Sequence, residues 1–278
     1  MTLVGKTEVK GELKKAISDA VLQIGGFGEV VKNGDIVLLK PNFNTADVFP
    51  GSTDLEFLKT VVELVYETGA KMVLIGESST VTANTRKIME KLGVFKLAEM
   101  ETPPRIYMFE QGFLGEEVLD FSKSSIKWVK KDIPGAKYLK SVSVPNLLDK
   151  VDKLILLPCL KTHKYAKFTG ALKLSMGFVK PPERIKMHLS NLQEKIVDLN
   201  LLIKPDLVIM DGRKCFISGG PDKGELREPN LILASKSRVA IDIEGIKIIQ
   251  SFSGNSLAGI DPYELPQIKT AIELRIDQ

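Results

Sequence analysis

Short apolar runs recur along the chain and are separated by segments in which apolar residues repeat at helical spacing. Residues 35–39 form a run rich in β-branched side chains, which is typical of a strand buried on both faces of a sheet. Further strands are predicted at residues 71–76, 153–157, 206–210 and 231–234. Strands that alternate with helices assemble into a mostly parallel sheet with helices on both faces. The pattern therefore predicts an α/β fold.

The predicted helices lie between these strands. Thr53 and Glu56 have the spacing of a capping box, and the apolar residues that follow recur three to four positions apart until Gly69. Similar stripes occupy residues 192–203 and 239–249.

The length of 278 residues fits a single α/β domain over residues 1–278, with two lobes at 1–111 and 141–278. Residues 112–140 break the alternation of strands and helices with dense Lys, Ser and Gly, and they contain the single tryptophan. This stretch is predicted to be an irregular insertion between the lobes.

Long polar segments follow three of the predicted strands, whereas connections in α/β units usually span about two to six residues. These segments carry chemically distinctive residues: Lys40 and Asn42 after the first strand, Lys161, Thr162 and His163 after the second, and Asp211, Gly219 and Gly220 after the third. Because the carboxyl ends of parallel strands lie at one edge of a sheet, the three segments should converge there. That edge is the predicted ligand site.

His163 and His188 are the only histidines, and both follow the strand at residues 153–157. Histidine can move a proton near neutral pH or ligate a metal, and Asp211 is a third candidate for such chemistry. Lys173 and Arg184 lie in the same stretch and offer charge-assisted hydrogen bonds to phosphate or carboxylate. We therefore assign catalytic roles to His163, His188 and Asp211. Ligand-binding roles are assigned to Lys40, Asn42, Lys161, Thr162, Lys173, Arg184, Gly219 and Gly220.

Composition narrows the class of function. Charged residues make up 27% of the chain, and the net charge is only +4, so a nucleic-acid partner is not expected. No apolar run is long enough to span a membrane, and the amino-terminal residues lack the apolar centre of a signal peptide, so a cytoplasmic location and no membrane partner are expected. Sequence motifs for classical nucleotide binding are absent. The two cysteines, Cys159 and Cys215, are too few to hold an iron–sulfur cluster.

Several motifs occur in an order that resembles the family catalogued as domain of unknown function 362. They include Lys40-Pro41-Asn42, Lys161-Thr162-His163, Gly170-Ala171-Leu172-Lys173 and Gly219-Gly220-Pro221. The family usually has Lys-Asn where this chain has Lys173-Leu174, and Asp-Pro where it has Ser237-Arg238. Some family members are fused to ferredoxin-like iron–sulfur modules. The resemblance therefore implies a separate iron–sulfur protein as a potential partner.

Two functions remain open from the sequence. The first is an enzyme that acts on a small phosphate- or carboxylate-bearing ligand at the carboxyl edge of the sheet, by acid–base or metal-ligand chemistry of its histidines. The second is a non-catalytic redox or cofactor-binding partner of a separate iron–sulfur protein. The substrate, the reaction, the cofactor and the identity of any metal are not determined by these residues.

Overall fold

The computed structural model describes residues 3–109, 112–113 and 126–277. The strands in these ranges are β1 (Val4–Glu8), β2 (Ile36–Lys40), β3 (Met72–Glu77), β4 (Arg105–Met108), β5 (Gly112–Phe113), β6 (Trp128–Asp132), β7 (Ser141–Pro145), β8 (Lys153–Leu156), β9 (Cys159–His163), β10 (Lys167–Thr169), β11 (Leu207–Gly219), β12 (Gly224–Arg227) and β13 (Leu231–Ser235). The α-helices are α1 (Leu13–Leu22), α2 (Phe27–Val30), α3 (Leu55–Glu67), α4 (Thr85–Lys91), α5 (Ala171–Leu174), α6 (Pro181–His188), α7 (Leu192–Leu202), α8 (Arg238–Gln250) and α9 (Pro266–Glu273).

The main sheet has the strand order β1-β13-β11-β8-β2-β3-β4-β5. Strands β11, β8, β2, β3 and β4 are parallel to one another, whereas β1, β13 and β5 join in antiparallel orientation. This confirms the predicted α/β class with a mostly parallel sheet. The predicted strand at residues 231–234 is present as β13, in antiparallel orientation to β11.

Alternate residues of the central strands enter two separate apolar cores. Leu38 in β2 belongs to the core that includes residues of α7 and α8, and the adjacent Leu39 belongs to the core that includes residues of α1 and α3. Successive side chains in a strand point to opposite faces, so a strand apolar at every position is buried from both sides. Helices therefore cover both faces of the sheet, as predicted.

The start of α3 differs from the predicted capping box. Asp54, not Thr53, caps this helix, and its Oδ1 accepts a hydrogen bond from the backbone N–H of Phe57 at 3.0 Å. The hydroxyl of Thr53 instead accepts from the backbone N–H of Asn42 at 2.7 Å. This bond ties the segment after β2 to the start of α3 and holds Asn42 near the sheet edge.

Two of the three predicted loops are largely strands. β11 continues past Met210 as far as Gly219, and β9 runs parallel to its second half, with Lys161 opposite Phe216. Pro158 separates β9 from β8, and its carbonyl accepts from the backbone N–H of Asp211 at 3.1 Å. The sheet therefore extends beyond its apolar centre, and its extension carries polar side chains.

The predicted insertion at residues 112–140 falls partly outside the described residues, at 114–125. Of its remainder, β6 pairs with β7 in a separate two-stranded antiparallel sheet. The portion from Trp128 to Asp132 is therefore regular strand, which the irregular composition did not predict.

Candidate functional site

A cleft of about 410 Å³ opens at the carboxyl ends of β2 and β3, beside β9, β10, α5 and α6. Seven of the predicted site residues line it: Lys40, Asn42, Lys161, His163, Lys173, Arg184 and His188. The other lining residues are Asn44, Glu77, Ser78, Thr80, Val81, Thr169, Leu174, Met176, Gly177, Ile185, Leu189 and Pro221. All four predicted cations and both histidines thus share one cavity.

Lys40 and Glu77 form a buried ion pair in this cleft. Nζ of Lys40 lies 2.5 Å from Oε1 of Glu77 and donates to the carbonyl of Pro41 at 2.7 Å. The carboxylate of Glu77 also accepts the backbone N–H of Phe43 at 2.7 Å and that of Ser78 at 2.8 Å. Because each buried charge has several partners, the segments after β2 and β3 are held together.

Lys161 and Lys173 supply the remaining lysine charges. Nζ of Lys161 donates to the carbonyl of Gly51 at 2.5 Å, and burial lowers the pKa of this lysine. Lys173 has no hydrogen-bond or ion-pair partner within the described residues. Burial and the nearby charge of Lys161 lower the pKa of Lys173 to about 8. Lys173 is therefore a cation that can accept an anionic ligand without breaking an existing contact.

Arg184 fastens α6 to the segment after β3. Its guanidinium donates to the carbonyls of Ser78 and Ser79, at 3.0 and 2.7 Å, and to the hydroxyl of Ser78. These contacts bury the side chain and fix the position of the helix that carries His188. Arg184 thus shapes the cleft wall and adds positive charge to it.

The hydrogen bonds of His163 determine its tautomer. Its Nδ1 accepts from the backbone N–H groups of Tyr165 at 3.1 Å and Ala166 at 3.2 Å, so Nδ1 carries no proton. The proton of the neutral ring then lies on Nε2. Burial, followed by the charges of Lys173 and Lys161, lowers the pKa of His163 to about 2. In its neutral form His163 therefore presents a donor, the Nε2 N–H, and its catalytic role stays a prediction.

His188 has the opposite tautomer. Its Nδ1 lies 2.7 Å from the carbonyl oxygen of Arg184 one turn earlier in α6. A carbonyl can only accept, so Nδ1 of His188 carries the proton and Nε2 of the neutral ring carries a lone pair. The ring is exposed at the mouth of the cleft. In the neutral rings, Nε2 of His188 is therefore a hydrogen-bond acceptor, whereas Nε2 of His163 is a donor.

Asp242 holds the short helix that carries Lys173. Its two carboxylate oxygens accept the backbone N–H groups of Ala171 at 2.6 Å and Leu172 at 3.0 Å. Burial raises the pKa of Asp242 to about 7, although these two bonds oppose the shift. A side chain at Gly170 would collide with this carboxylate, because a Cβ there would lie 2.1 Å from Oδ1. Asp242 therefore positions α5, which carries Lys173, and is not itself a lining residue of the cleft.

Four predicted site residues do not line the cleft. Asp211 is paired with Arg213, whose Nε and Nη2 donate to its two oxygens at 3.0 and 2.8 Å. Thr162 is buried in β9, and its backbone carbonyl lies against Gly220. Gly219 and Gly220 have positive φ angles in the turn between β11 and β12. The catalytic role of Asp211 stays a prediction, and in this structure Arg213 donates to both of its oxygens.

Glu77 and Thr169 are lining residues that the sequence analysis missed. Glu77 ends β3, so the rule that selected Lys40 at the end of β2 would also have selected it. Thr169 ends β10, a strand that the apolar pattern did not predict. Its hydroxyl is buried and has no hydrogen-bond partner among the described residues.

Metal-ligand chemistry has little support in this cleft. Within the described ranges, no group of three or more His, Cys, Asp or Glu side chains is arranged to hold a metal ion. At His163, Nδ1 is already occupied by two backbone donors. The acid–base and metal-ligand alternatives for the histidines both stay predictions.

Comparison with known proteins agrees with the motifs at this cleft. The family model described as domain of unknown function (DUF362) matches residues 37–247, which include every lining residue. The chain belongs to this DUF362 family. The resemblance inferred from the motifs is confirmed.

The chain is also similar to a protein from a cyanobacterial strain. The thylakoid-associated protein sll1697 of Synechocystis sp. (strain ATCC 27184 / PCC 6803 / Kazusa) is 28% identical over 265 residues, which cover 92% of this chain and 73% of that protein. In the part of this chain that the structure describes, no helix is long and apolar enough to cross a bilayer. The cytoplasmic location expected from the sequence stays a prediction.

Proposed function

We propose that this protein is an enzyme that transfers a proton on a small phosphate- or carboxylate-bearing ligand bound in the cleft. The observation that carries the proposal is the opposite tautomers of His163 and His188 at one cavity. A proton acceptor and a neutral hydrogen-bond donor are the two groups needed to remove a proton and to stabilise the negative oxygen that results.

The anionic group of the ligand contacts Lys173 in this proposal. Lys161 is the second contact, because an ammonium group has three donors and the carbonyl of Gly51 uses one of them. Asn42 lies beside them and orients the ligand through its amide. Lys40 and Arg184 contribute charge and hold the walls, since Glu77 and the Ser78 and Ser79 carbonyls already engage them.

His188 acts as the base through Nε2, and His163 donates from Nε2 to the oxygen on which charge develops. The low pKa of His163 keeps its ring neutral over the physiological range, so it donates a hydrogen bond as an imidazole and not as an imidazolium. The exposed position of His188 lets it exchange its proton with water.

Ligand identification followed by proton exchange tests this function. Mass spectrometry of small molecules carried through a native purification gives the ligand class. Proton NMR in deuterium oxide then follows a panel of phosphates and carboxylates, beginning with the class that was identified. With the wild-type protein, the signal of a C–H proton of the ligand should disappear as deuterium replaces it. The His188→Asn variant, which keeps a donor to the Arg184 carbonyl but lacks Nε2, should bind without exchange. Equal exchange in both proteins would contradict the assignment.

The alternative of a non-catalytic partner for an iron–sulfur protein stays a prediction. No contact among the described residues favours it.

A further inference from the structure

Exposed apolar side chains surround the mouth of the cleft whose interior carries the cations. Val81, Ile185 and Leu189 line the cleft and are 39%, 52% and 79% exposed. Ile185 lies in α6 and Leu189 follows its last residue, so the two are four residues apart on the face that also presents His188. Val81 comes from the segment after β3. Two different elements therefore bring apolar groups to the same opening.

The apolar lining continues inward from Val81, Ile185 and Leu189 at the mouth of the cleft. Leu174 and Met176 line the cleft and are buried, and they follow Lys173 within three residues in α5 and the turn after it. A ligand that reaches from Lys173 to the surface can therefore contact apolar side chains along its length.

Single exposed apolar residues are normal on a protein surface and need no function. These three differ because they share one cleft with buried cations. The cleft volume of about 410 Å³ lies within the range of sites for drug-sized ligands, which combine a largely apolar lining with a few polar groups. An isolated phosphate or carboxylate would leave the apolar part of such a site unfilled.

We propose that the ligand is an amphiphilic anion whose phosphate or carboxylate contacts Lys173 and whose hydrocarbon body lies against Val81, Ile185 and Leu189. This inference rests on the proposed function, because it assigns the second half of the same ligand. The hydrocarbon body is either part of a free molecule or part of a lipid that extends into a membrane, since both present the same chemistry.

Calorimetric titration with two pairs of anions tests the inference: methyl phosphate with hexyl phosphate, and acetate with hexanoate. Each buried methylene should increase affinity about fourfold. The longer member of at least one pair should therefore bind at least tenfold more tightly than the shorter one. The paired substitutions Ile185→Ser and Leu189→Ser should remove most of that gain and leave the affinity of the short anion unchanged.

Leu22→Ser is the matched control, because Leu22 is 68% exposed at the end of α1 and lies outside the cleft. It should leave all four affinities unchanged. Equal affinity of the short and long anions in wild-type protein would overturn the inference and leave the proposed function standing. Failure of all four anions to bind would instead remove the proposed function.

Two further measurements test whether Ile185 and Leu189 form a subunit interface and whether the ligand is a membrane lipid. Size-exclusion chromatography with light scattering should give the same mass for wild-type protein and the Ile185→Ser/Leu189→Ser variant. A lower mass in the variant would identify these residues as part of a subunit interface and overturn the inference.

Sedimentation with vesicles that contain phosphatidic acid distinguishes the two ligand sources. Vesicle binding that depends on Ile185 and Leu189 supports a membrane lipid, and tight hexyl-anion binding without vesicle binding supports a free amphiphile.

Discussion

Nζ of Lys40 lies 2.5 Å from Oε1 of Glu77, and the two side chains are 1% and 2% exposed. The pair joins the ends of β2 and β3 at the base of the cleft. Neither charge can be hydrated at this depth, so each depends on the other and on nearby backbone groups for its compensation.

Replacement of Glu77 by Gln should destabilise the protein strongly, because it leaves the Lys40 charge buried without its counterion. We expect the free energy of unfolding to fall by about 3 kcal/mol, measured by urea denaturation. The double variant Lys40→Met/Glu77→Gln removes both charges and keeps an acceptor for the Phe43 N–H. It should recover at least half of that loss. Equal destabilisation in the single and double variants would show that the pairing is not the cause.

Replacement of His163 by Asn should separate the structural role of the ring from its role in the cleft. The Asn Oδ1 can accept from the N–H groups of Tyr165 and Ala166 as Nδ1 does, but Asn has no equivalent of the Nε2 donor. We expect stability within about 1 kcal/mol of wild type, unchanged affinity for methyl phosphate and acetate, and proton exchange on the ligand about tenfold slower, because one hydrogen bond to the developing charge is lost. Urea denaturation, calorimetry and the NMR exchange assay measure these three quantities.

His163→Ala is the companion variant, because it removes both the acceptor and the donor. It should slow proton exchange by the same factor and in addition lose about 1 to 3 kcal/mol of stability. A wild-type exchange rate in His163→Asn would refute the donor role.

Anion affinity should fall as the pH rises through about 8. Lys173 has a pKa of about 8, well below the usual value of 10.5, so it loses its proton and its attraction for an anion in this range. Lys173→Arg keeps the charge at high pH and should show a shallower decline between pH 7.5 and 9.5. The same calorimetric titrations at several pH values provide the test. Parallel declines in both proteins would assign the titration to another group.

Stability should depend on the ionisation of Asp242. Its pKa is raised from 3.8 to about 7 by burial, so the folded protein binds a proton that the unfolded chain releases between these values. The free energy of unfolding contributed by Asp242 is therefore greatest below pH 4 and is lost as the pH rises through about 7. From pH 7.5 to 5.0, wild-type protein should gain roughly 1 to 3 kcal/mol relative to Asp242→Asn in urea denaturation. Parallel pH profiles of the two proteins would be inconsistent with this assignment.

The hydrophobic pattern by itself determined the class of fold and the edge at which the cleft forms. Strands such as β2 are apolar at successive positions because both of their faces are covered. This apolar run can be recognised in the sequence without knowledge of tertiary contacts. Since parallel strands end at one edge, Lys40, Lys161 and Lys173 could be assigned to a common site from their place in the chain. The sequence also allowed Glu77 to be found, but its position at a strand end was not used.

Only the tertiary structure decided what each of these residues can do. Asp211 appeared available in the sequence, yet Arg213 folds back and occupies its carboxylate. His163 and His188 have the same intrinsic chemistry, and their roles separate because one ring faces two backbone donors and the other faces a carbonyl. These partners lie only two to four residues away in the chain, but the backbone conformation that brings each side chain to its partner is set by contacts in the folded protein. Residue type and spacing contain no record of those contacts, so the sequence could locate the cleft but could not indicate which nitrogen of each histidine carries the proton.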